Sequence, residues 1–235
     1  GHPLCIWSRW GDYPELGRDM KGDAMKRLVF VLLLAPSMAV GEASRYLDVI
    51  PTFWRTLYPD GGQGLYCGAT FSAYDRDYNI EHVYPMSWVG KALRCGDRAA
   101  CRRSSARFNE IESDMHNMYP ARRDLNHKRG AYPYREIAGE QWIEPGCDFE
   151  IDYRARAVEP RPASRGNIAR AMLYMAEEYG LEIYQRQRGL LLDWHRADPV
   201  DAAEKQRNQQ IVSLQGKSNR WIESGYGEEG TGTRE

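Results

Sequence analysis

The stretch YNIEHVYPMSW, residues 78–88, decides both the predicted fold and the predicted site. Apolar and polar residues alternate through it, which is typical of a short strand, and Pro85 marks the end of that strand. Neighbouring side chains on a strand point to opposite faces, so Glu81 and His82 can act on one atom only where the strand ends or bends. We therefore predict that the strand stops at this pair and that the two side chains diverge around one reaction centre.

A second polar stretch follows, DMHNMYPARRDLNHKRG, residues 114–130. Proline is favoured in the first turn of a helix and glycine just past its end, so Pro120 and Gly130 predict a short helix over residues 120–129. Helical spacing brings three polar positions to one face: Arg122, Asn126 and Arg129. A face made only of polar groups is unusual for a helix that must dock against a protein core.

The remaining patterns predict an α+β fold that is mostly helical. A short helix is expected over residues 52–58, and the basic, cysteine-bracketed stretch 91–112 is expected to form a loop over the site. Apolar residues at helical spacing predict a buried helix that ends at Gly180. A last helix is expected after Asp201, which together with Glu204 resembles a capping pattern.

The distribution of charge is more informative than its total. The net charge of −1, from 32 Lys and Arg against 33 Asp and Glu, says nothing about a partner. Between Lys91 and Arg135, however, eleven basic residues stand against five acidic ones, a local excess of six positive charges. A polyanion such as a nucleic acid is the natural partner of this stretch, because neutralised phosphates release counterions. The alternative is an ordinary solvated surface that is basic.

The sequence MKRLVFVLLLAPSMA, residues 25–39, has the pattern of a secretory signal peptide, with two basic residues, a short apolar run and a cut after Ala39. The apolar run is too short to span a bilayer, which needs about 20 apolar residues. The alternative is a core helix of the mature fold. We expect residues 1–24 to be an upstream extension of unknown role, residues 40–223 to form a single domain and residues 224–235 to be a disordered tail.

Four cysteines follow the expected cut: Cys67, Cys95, Cys101 and Cys147. In a secreted chain, four cysteines indicate two disulfides, for which three connectivities exist. Cys95 and Cys101 could close a small loop, and Cys67 with Cys147 would then join distant parts of the chain. A structural zinc site of four cysteines is the alternative, although the sequence contains no CxxC pair.

The residue types around the Glu-His pair suit phosphodiester hydrolysis. Magnesium prefers oxygen ligands and takes only one or two from the protein, which Glu81 and the amide of Asn126 could supply. His82 is the kind of side chain best suited to deprotonate a water molecule near neutral pH. A metal at the leaving oxygen, a base for the water and an arginine for the developing charge together describe this reaction.

Four blocks of the chain resemble the bacterial endonuclease I family of periplasmic and extracellular nucleases. They are IEHVYP (80–85), RCGDRAAC (94–101), DMHNMYPARRDLNHKR (114–129) and the closing segment from LLLDWHRADP to SNRWIE (190–223). The resemblance implies a small ββα-metal catalytic core within the α+β fold. It also implies a secreted, Mg²⁺-dependent endonuclease that cuts DNA and RNA with little sequence preference and leaves 5′-phosphates. Mn²⁺ or Ca²⁺ are the implied substitutes for Mg²⁺, and we expect a monomer that does not enter a membrane.

The resemblance assigns the central roles to four residues. Glu81 and Asn126 match the magnesium ligands of the family, and His82 matches its general base. Arg98 stands three residues before the second cysteine of its block, where the family has an arginine that contacts the phosphate.

The resemblance also covers supporting residues. His116 and Asn117 fall in a block that orients the site, and Arg129 is expected to support it. The chain departs from the family pattern at Ile80, where a tryptophan is frequent, and in the ending NRW, residues 219–221. These departures bear on disulfide layout and substrate fit and leave the predicted metal site unchanged.

Two other functions compete with that of a secreted endonuclease. One is a nucleic-acid-binding module that has lost catalysis, which would require a defect among Glu81, His82 and Asn126, and all three are present. The other is a metal hydrolase that acts on another phosphodiester or on a glycan through paired carboxylates. The basic stretch beside the Glu-His pair argues against a neutral sugar substrate.

Overall fold

The structure, a computed structural model, describes residues 45–73 and 75–223. These residues form eight α-helices and six short β-strands, so the predicted α+β, mostly helical fold is confirmed. The helices are α1 (Tyr46–Thr52), α2 (Met86–Leu93), α3 (Arg98–Ser104), α4 (Ala106–Glu112), α5 (Arg123–Arg129), α6 (Arg165–Tyr179), α7 (Gln185–Ala197) and α8 (Ala202–Gln215). The strands are β1 (Gly61–Gln63), β2 (Thr70–Ser72), β3 (Tyr78–His82), β4 (Met118–Arg122), β5 (Phe149–Asp152) and β6 (Ala157–Pro160). The predicted extension 1–24, signal peptide 25–39 and tail 224–235 lie outside the described residues.

The strands form three separate antiparallel ribbons, β1 with β2, β3 with β4 and β5 with β6. In the central ribbon Glu81 pairs with Tyr119 across the ladder. β4 passes directly into α5, so this ribbon and helix form a ββα unit. Asn126 on α5 is thereby brought against β3, where its amide donates a hydrogen bond to the Ile80 carbonyl.

β3 ends at His82, as predicted. The next two backbone N–H groups leave the ladder, because Val83 donates to the Asn117 carbonyl at 3.0 Å and Tyr84 donates to the Asn117 side chain at 2.6 Å. Pro85 then holds an extended backbone at the start of α2. The strand end therefore depends on bonds to one asparagine as well as on the proline.

The helix predicted over residues 120–129 begins later than expected, because Pro120 belongs to β4. Its carbonyl accepts a hydrogen bond from the Leu65 N–H at 2.8 Å. A two-stranded ribbon has only edge strands, in which a proline without an N–H is tolerated. α5 therefore begins at Arg123, whereas its end just before Gly130 is as predicted.

The loop predicted over residues 91–112 is wrong, because most of this stretch is helical in α3 and α4. Each helix starts after a residue whose side chain caps it. Asp97 accepts from a backbone N–H of α3 at 2.8 Å, and Ser105 accepts from one of α4 at 3.1 Å. Asp and Ser are among the favoured N-cap residues, so the signal was present in the sequence. The helical turn places Arg98 and Arg102 on one face of α3.

The larger hydrophobic core packs around α6, most of whose residues are buried. α6 packs along α7 and ends at Gly180. The φ of Gly180 is 65°, a left-handed conformation that glycine adopts with less strain than other residues. α8 begins after Asp201, whose side chain accepts from the Glu204 N–H at 2.7 Å, so the predicted cap is confirmed. A smaller core joins Ile80 of β3 to the π-helical segment Phe53–Leu57, which continues α1 where a short helix was predicted.

Two disulfides join the four cysteines, Cys67–Cys147 and Cys95–Cys101, with Cα atoms 4.6 and 4.8 Å apart. This connectivity is the one in which a small loop closes, and the zinc alternative is wrong because all four thiols are paired. Cys95 follows α2 and Cys101 lies on α3, so the second disulfide fixes these two helices beside the end of β3. Within residues 45–73 and 75–223, no helix is both long enough and apolar enough to cross a membrane.

Candidate active site

A cleft of about 760 Å³ opens at the end of β3. Five of the site residues predicted from the sequence line this cleft: Glu81, His82, Arg98, Asn126 and Arg129. The other two, His116 and Asn117, are buried and do not line it. The structure thus brings together groups from β3, α3 and α5 that are far apart in the sequence.

His82 is held in one tautomer by its hydrogen bond to the backbone. Its Nε2 lies 2.9 Å from the Glu112 carbonyl oxygen, and because a carbonyl can only accept, Nε2 carries the proton. Nδ1 is therefore the proton acceptor of the ring. Burial, aided by the charge of Arg98, lowers the pKa of His82 to about 4, although the contacts with Glu112 oppose this shift. The imidazole is accordingly neutral at physiological pH and able to accept a proton.

Arg98 is positioned by a buried carboxylate that it shares with Arg102. The Arg98 Nε donates to one Glu112 oxygen, and Arg102 donates to both oxygens at 2.7 and 2.8 Å. Burial raises the pKa of Glu112, but the hydrogen bonds from Arg102 and Arg98 outweigh it and hold the pKa below its usual value. The ring of Tyr46 lies 5.2 Å from each guanidinium and 5.1 Å from the His82 ring. The Arg98 side chain is 45% exposed, and the residue lines the cleft.

Glu81 commits one carboxylate oxygen to the protein. Oε1 accepts from the Tyr66 hydroxyl at 2.7 Å and from the Arg129 guanidinium at 2.9 Å. Burial raises the pKa of Glu81, while the charge of Arg129 and the hydrogen bond from Tyr66 oppose this. No group among the described residues forms a hydrogen bond with Oε2, so one oxygen of this carboxylate is free for a ligand.

Arg129 is an internal anchor for Glu81. Its side chain is 1 % exposed, and besides Glu81 it donates to the backbone carbonyls of His82 at 3.3 Å and Val83 at 2.8 Å. Its guanidinium also lies 4.8 Å from the centre of the Tyr134 ring. The guanidinium thus bonds the end of β3 and the Glu81 carboxylate, which is the position expected of a supporting residue.

Asn126 presents its amide oxygen to the cleft. Its Nδ2 donates to the Asn79 side-chain oxygen at 2.9 Å and to the Ile80 carbonyl at 3.1 Å. Both acceptors are oxygens, which fixes the amide orientation and leaves Oδ1 without a partner in the described part of the chain. A hard divalent cation prefers oxygen ligands, and Mg²⁺ takes few from protein. Oε2 of Glu81 and Oδ1 of Asn126 fit that requirement.

His116 and Asn117 are buried and hydrogen-bonded to other parts of the chain. Both Asn117 amide atoms are bonded to the Tyr84 backbone, at 2.6 Å to its N–H and 3.0 Å to its carbonyl. His116 Nε2 lies 2.9 Å from the Lys217 carbonyl, and its ring packs edge-on against Tyr174 with centroids 4.7 Å apart. These contacts fix the segment that follows His82 and join it to the C-terminal part of the fold.

Sequence reasoning missed three residues that organise the site: Tyr66, Arg102 and Glu112. Arg98 and Arg102 are four residues apart, so a helix through this stretch would have shown that both can reach one acid. Glu112 was counted only as part of the local charge. No local signal identifies Tyr66, because its bond to Glu81 spans fifteen residues and depends on the turn between them.

Several known nucleases are similar to this chain in sequence. The chain is 40% identical over 147 residues to a periplasmic deoxyribonuclease of Aeromonas hydrophila, covering 61% of this chain and 62% of that relative. It is 39% identical to an extracellular deoxyribonuclease of the same organism, with 61% and 64% coverage. It is 30% identical to an extracellular ribonuclease of Bacillus amyloliquefaciens, with 57% and 46% coverage. The chain thus spans less than two thirds of the length of these relatives. The model of the endonuclease I family matches residues 56–225, which include the whole ββα unit and all of the cleft lining except Tyr46, and the chain belongs to that family.

Proposed function

We propose that this protein is an exported, metal-dependent endonuclease that hydrolyses phosphodiester bonds within DNA and also within RNA, leaving 5′-phosphates. One observation carries the proposal. Glu81, His82 and Asn126 each bond the scaffold through one polar atom and have a second polar atom without a hydrogen-bond partner among residues 45–73 and 75–223, and all three line one cleft with Arg98. A carboxylate, a neutral imidazole, an amide oxygen and a guanidinium are the groups that phosphodiester hydrolysis needs.

His82 supplies the base. At neutral pH the ring is uncharged, and its Nε2 proton is held by the Glu112 carbonyl, so Nδ1 takes a proton from the attacking water. The Glu112 carbonyl also faces the positive ring that forms when this proton arrives, and a carbonyl dipole stabilises that charge. The same contact fixes the ring during the reaction, because Nε2–H cannot turn away without losing a buried hydrogen bond.

Glu81 and Asn126 would hold Mg²⁺ through Oε2 and Oδ1. When bound, the ion supplies Lewis-acid stabilisation of the charge on the phosphate and on the leaving oxygen. Tyr66 and Arg129 hold the Glu81 carboxylate in place whether or not a ligand is present. Arg98, which lines the same cleft, neutralises charge on the phosphate.

The chemistry determines which substrates and products follow. Attack by water on phosphorus, with the bond to the 3′-oxygen breaking, gives a 5′-phosphate and a 3′-hydroxyl. No step uses a 2′-hydroxyl, so DNA and RNA both qualify. The relatives named as deoxyribonucleases and as a ribonuclease support this breadth. Their periplasmic and extracellular names, together with two disulfides, support a site of action outside the reducing cytoplasm.

The experiment incubates the oxidised protein with supercoiled plasmid and separately with structured RNA, each with Mg²⁺ and with chelator. We expect both substrates to be degraded only with the metal. His82→Ala should lower turnover by about 10² to 10⁴, the usual contribution of a positioned base. His127→Ala is the matched control, because His127 lines the same cleft and takes no part in the proposed mechanism.

Three outcomes would contradict the proposal. Full activity of folded His82→Ala would remove His82 from the mechanism. Unchanged activity in chelator would exclude the metal. Binding of plasmid without cleavage across several divalent metals would instead support the binding module that has lost catalysis.

A further inference from the structure

A cluster of three acidic side chains lies outside the catalytic cleft: Glu140, Asp148 and Glu150. Glu140 lies in the segment between α5 and β5, Asp148 immediately precedes β5 and Glu150 lies on β5. One carboxylate oxygen of each lies within 4.8 Å of the others. Within the described ranges, none of the three forms an ion pair with a lysine or arginine. Three like charges are therefore held together without a partner of opposite charge.

The position of Glu150 makes this cluster different from an ordinary acidic surface. Glu150 is 3 % exposed, and its Oε2 is buried without a hydrogen-bond partner in the described part of the chain. A buried carboxylate oxygen without a partner is costly, and the great majority of buried polar atoms are paired. Burial and the charges of Glu159, Glu140 and Asp148 all raise the pKa of Glu150. The arrangement lacks a positive group at the point where these oxygens converge.

We propose that Glu140, Asp148 and Glu150 bind a Ca²⁺ ion. Ca²⁺ takes six to eight oxygen ligands at 2.3–2.6 Å, so opposite ligands lie about 4.8 Å apart and adjacent ones closer. Oxygens that all lie within 4.8 Å of one another can therefore share one ion. The cluster contains no His or Cys, which disfavours Zn²⁺, and its exposed side at Glu140 leaves room for water ligands. The flexible coordination of Ca²⁺ suits a site shared between a long irregular segment and a strand better than the strict octahedron of Mg²⁺.

The ion would fix the segment that supports the active site. Residues 131–148 contain no helix and no named strand, and two contacts near their C-terminal end tie them to residues beside the site. Cys147 is bonded to Cys67, the neighbour of the tyrosine that positions Glu81, and Glu144 pairs with Arg122 at the end of β4. Glu140 precedes Glu144 in the chain and Asp148 follows Cys147, so a cation shared by Glu140 and β5 would close a loop that contains both of these contacts. The ion would therefore stabilise the fold beside the site and take no part in hydrolysis.

Trp142 provides a direct probe of this site. Its Nε1 donates to a Glu140 oxygen at 3.2 Å, so a lanthanide bound at the cluster lies close enough to be excited through this indole. Tb³⁺ replaces Ca²⁺ in oxygen sites and emits when a neighbouring tryptophan absorbs. The measurement uses the full oxidised protein carrying Asn126→Ala, which weakens the separate catalytic site. Tryptophan-sensitised Tb³⁺ emission and calorimetric titration with Ca²⁺ are then recorded.

We expect the Asn126→Ala protein to bind one Ca²⁺ per chain with a Kd of about 10⁻⁴ to 10⁻³ M, the range of extracellular calcium modules. Ca²⁺ should also raise its Tm, because an ion that binds only the folded state stabilises it. Adding Glu150→Gln should weaken binding at least about tenfold and abolish the rise in Tm. Glu136→Gln removes an exposed charge from the same segment and should leave both properties unchanged.

Because Glu150 is buried, Glu140→Ala serves as the second variant, since that residue is exposed and its loss spares the core. It should also weaken Tb³⁺ emission and Ca²⁺ binding. The proposal is overturned if the Asn126→Ala protein binds no Ca²⁺. It is equally overturned if emission and affinity are unchanged in both Glu150→Gln and Glu140→Ala. None of these readouts depends on nuclease activity, so they test the site independently of the proposed function.

Discussion

The buried pair between Arg129 and Glu81 gives the sharpest test of how the site is held together. The two side chains are 1 % and 2 % exposed and are joined at 2.9 Å. Replacement of Arg129 by Met keeps much of the side-chain volume and removes the charge. It leaves the Glu81 carboxylate buried with only the Tyr66 hydroxyl as a partner. It also removes the donor that the carbonyls of His82 and Val83 share.

The magnitude follows from this geometry. Removal of one partner of a buried ion pair costs about 3–5 kcal/mol, since the remaining charge stays in a medium of low polarity. Whole domains are stable by about 5–15 kcal/mol, so Arg129→Met should remove a large part of the free energy of unfolding. For a domain of this size the corresponding fall in Tm is roughly 6 to 20 °C. Much of this loss reflects the charge left behind, so Glu81→Gln in the same chain should restore at least about 1 kcal/mol.

Urea denaturation of the four proteins in this cycle measures the free energy of unfolding directly. The matched control is Arg196→Met, which breaks an ion pair with Asp193 whose partners are 61% and 70% exposed. An exposed pair contributes only about 0–1 kcal/mol, so this control should be nearly neutral. The reasoning is refuted if Arg129→Met costs less than about 1 kcal/mol. It is also refuted if Glu81→Gln adds its own full cost to that of Arg129→Met, because the two residues would then be uncoupled.

Two further predictions concern stability. The disulfides span 80 and 6 residues. The entropy of loop closure therefore predicts that Cys67→Ala with Cys147→Ala lowers the free energy of unfolding by about 4.5 kcal/mol, and Cys95→Ala with Cys101→Ala by about 2 kcal/mol. Equal losses of this free energy in urea denaturation would contradict this. Glu112 has a pKa below its usual 4.5 in the folded state, so its contribution is present above that pH and is lost as the pH falls through the lower value. Glu112→Gln should lower stability at neutral pH and flatten its decline below about pH 4.5, and parallel pH profiles of the two proteins would exclude this.

The central strand was predictable because its signal is local. Alternation up to Glu81 and His82, with a proline shortly after, specifies a strand that stops there, and the structure confirms it. The helix that follows was predicted to start too early, since Pro120 fits a first helical turn as well as an edge strand. Only the pairing of β4 with β3, a contact between distant residues, decides between these two readings.

The region between the two strands was misjudged for a different reason. Its basic residues and bracketing cysteines suggested a loop over the site, yet Asp97 and Ser105 are N-caps and the stretch folds into two helices. The buried carboxylate of Glu112 explains why the basic residues are tolerated there, because it pairs with Arg98 and Arg102 at once. Such a shared acid cannot be identified from composition, which counts charges without showing which of them meet.

The three central groups of the cleft follow one structural rule. Oε1 of Glu81 accepts from Tyr66 and Arg129. Nε2 of His82 donates to the Glu112 carbonyl, and Nδ2 of Asn126 donates to β3. In each case the bonded atom fixes the orientation, and the second atom has no hydrogen-bond partner in the described part of the chain and can receive a ligand or a proton. The free atoms are therefore in place before a ligand arrives, and little reorganisation is needed when charge develops on a bound phosphate. Loss of a scaffold bond should accordingly weaken function through misplacement of the free atom even when the residue itself is retained.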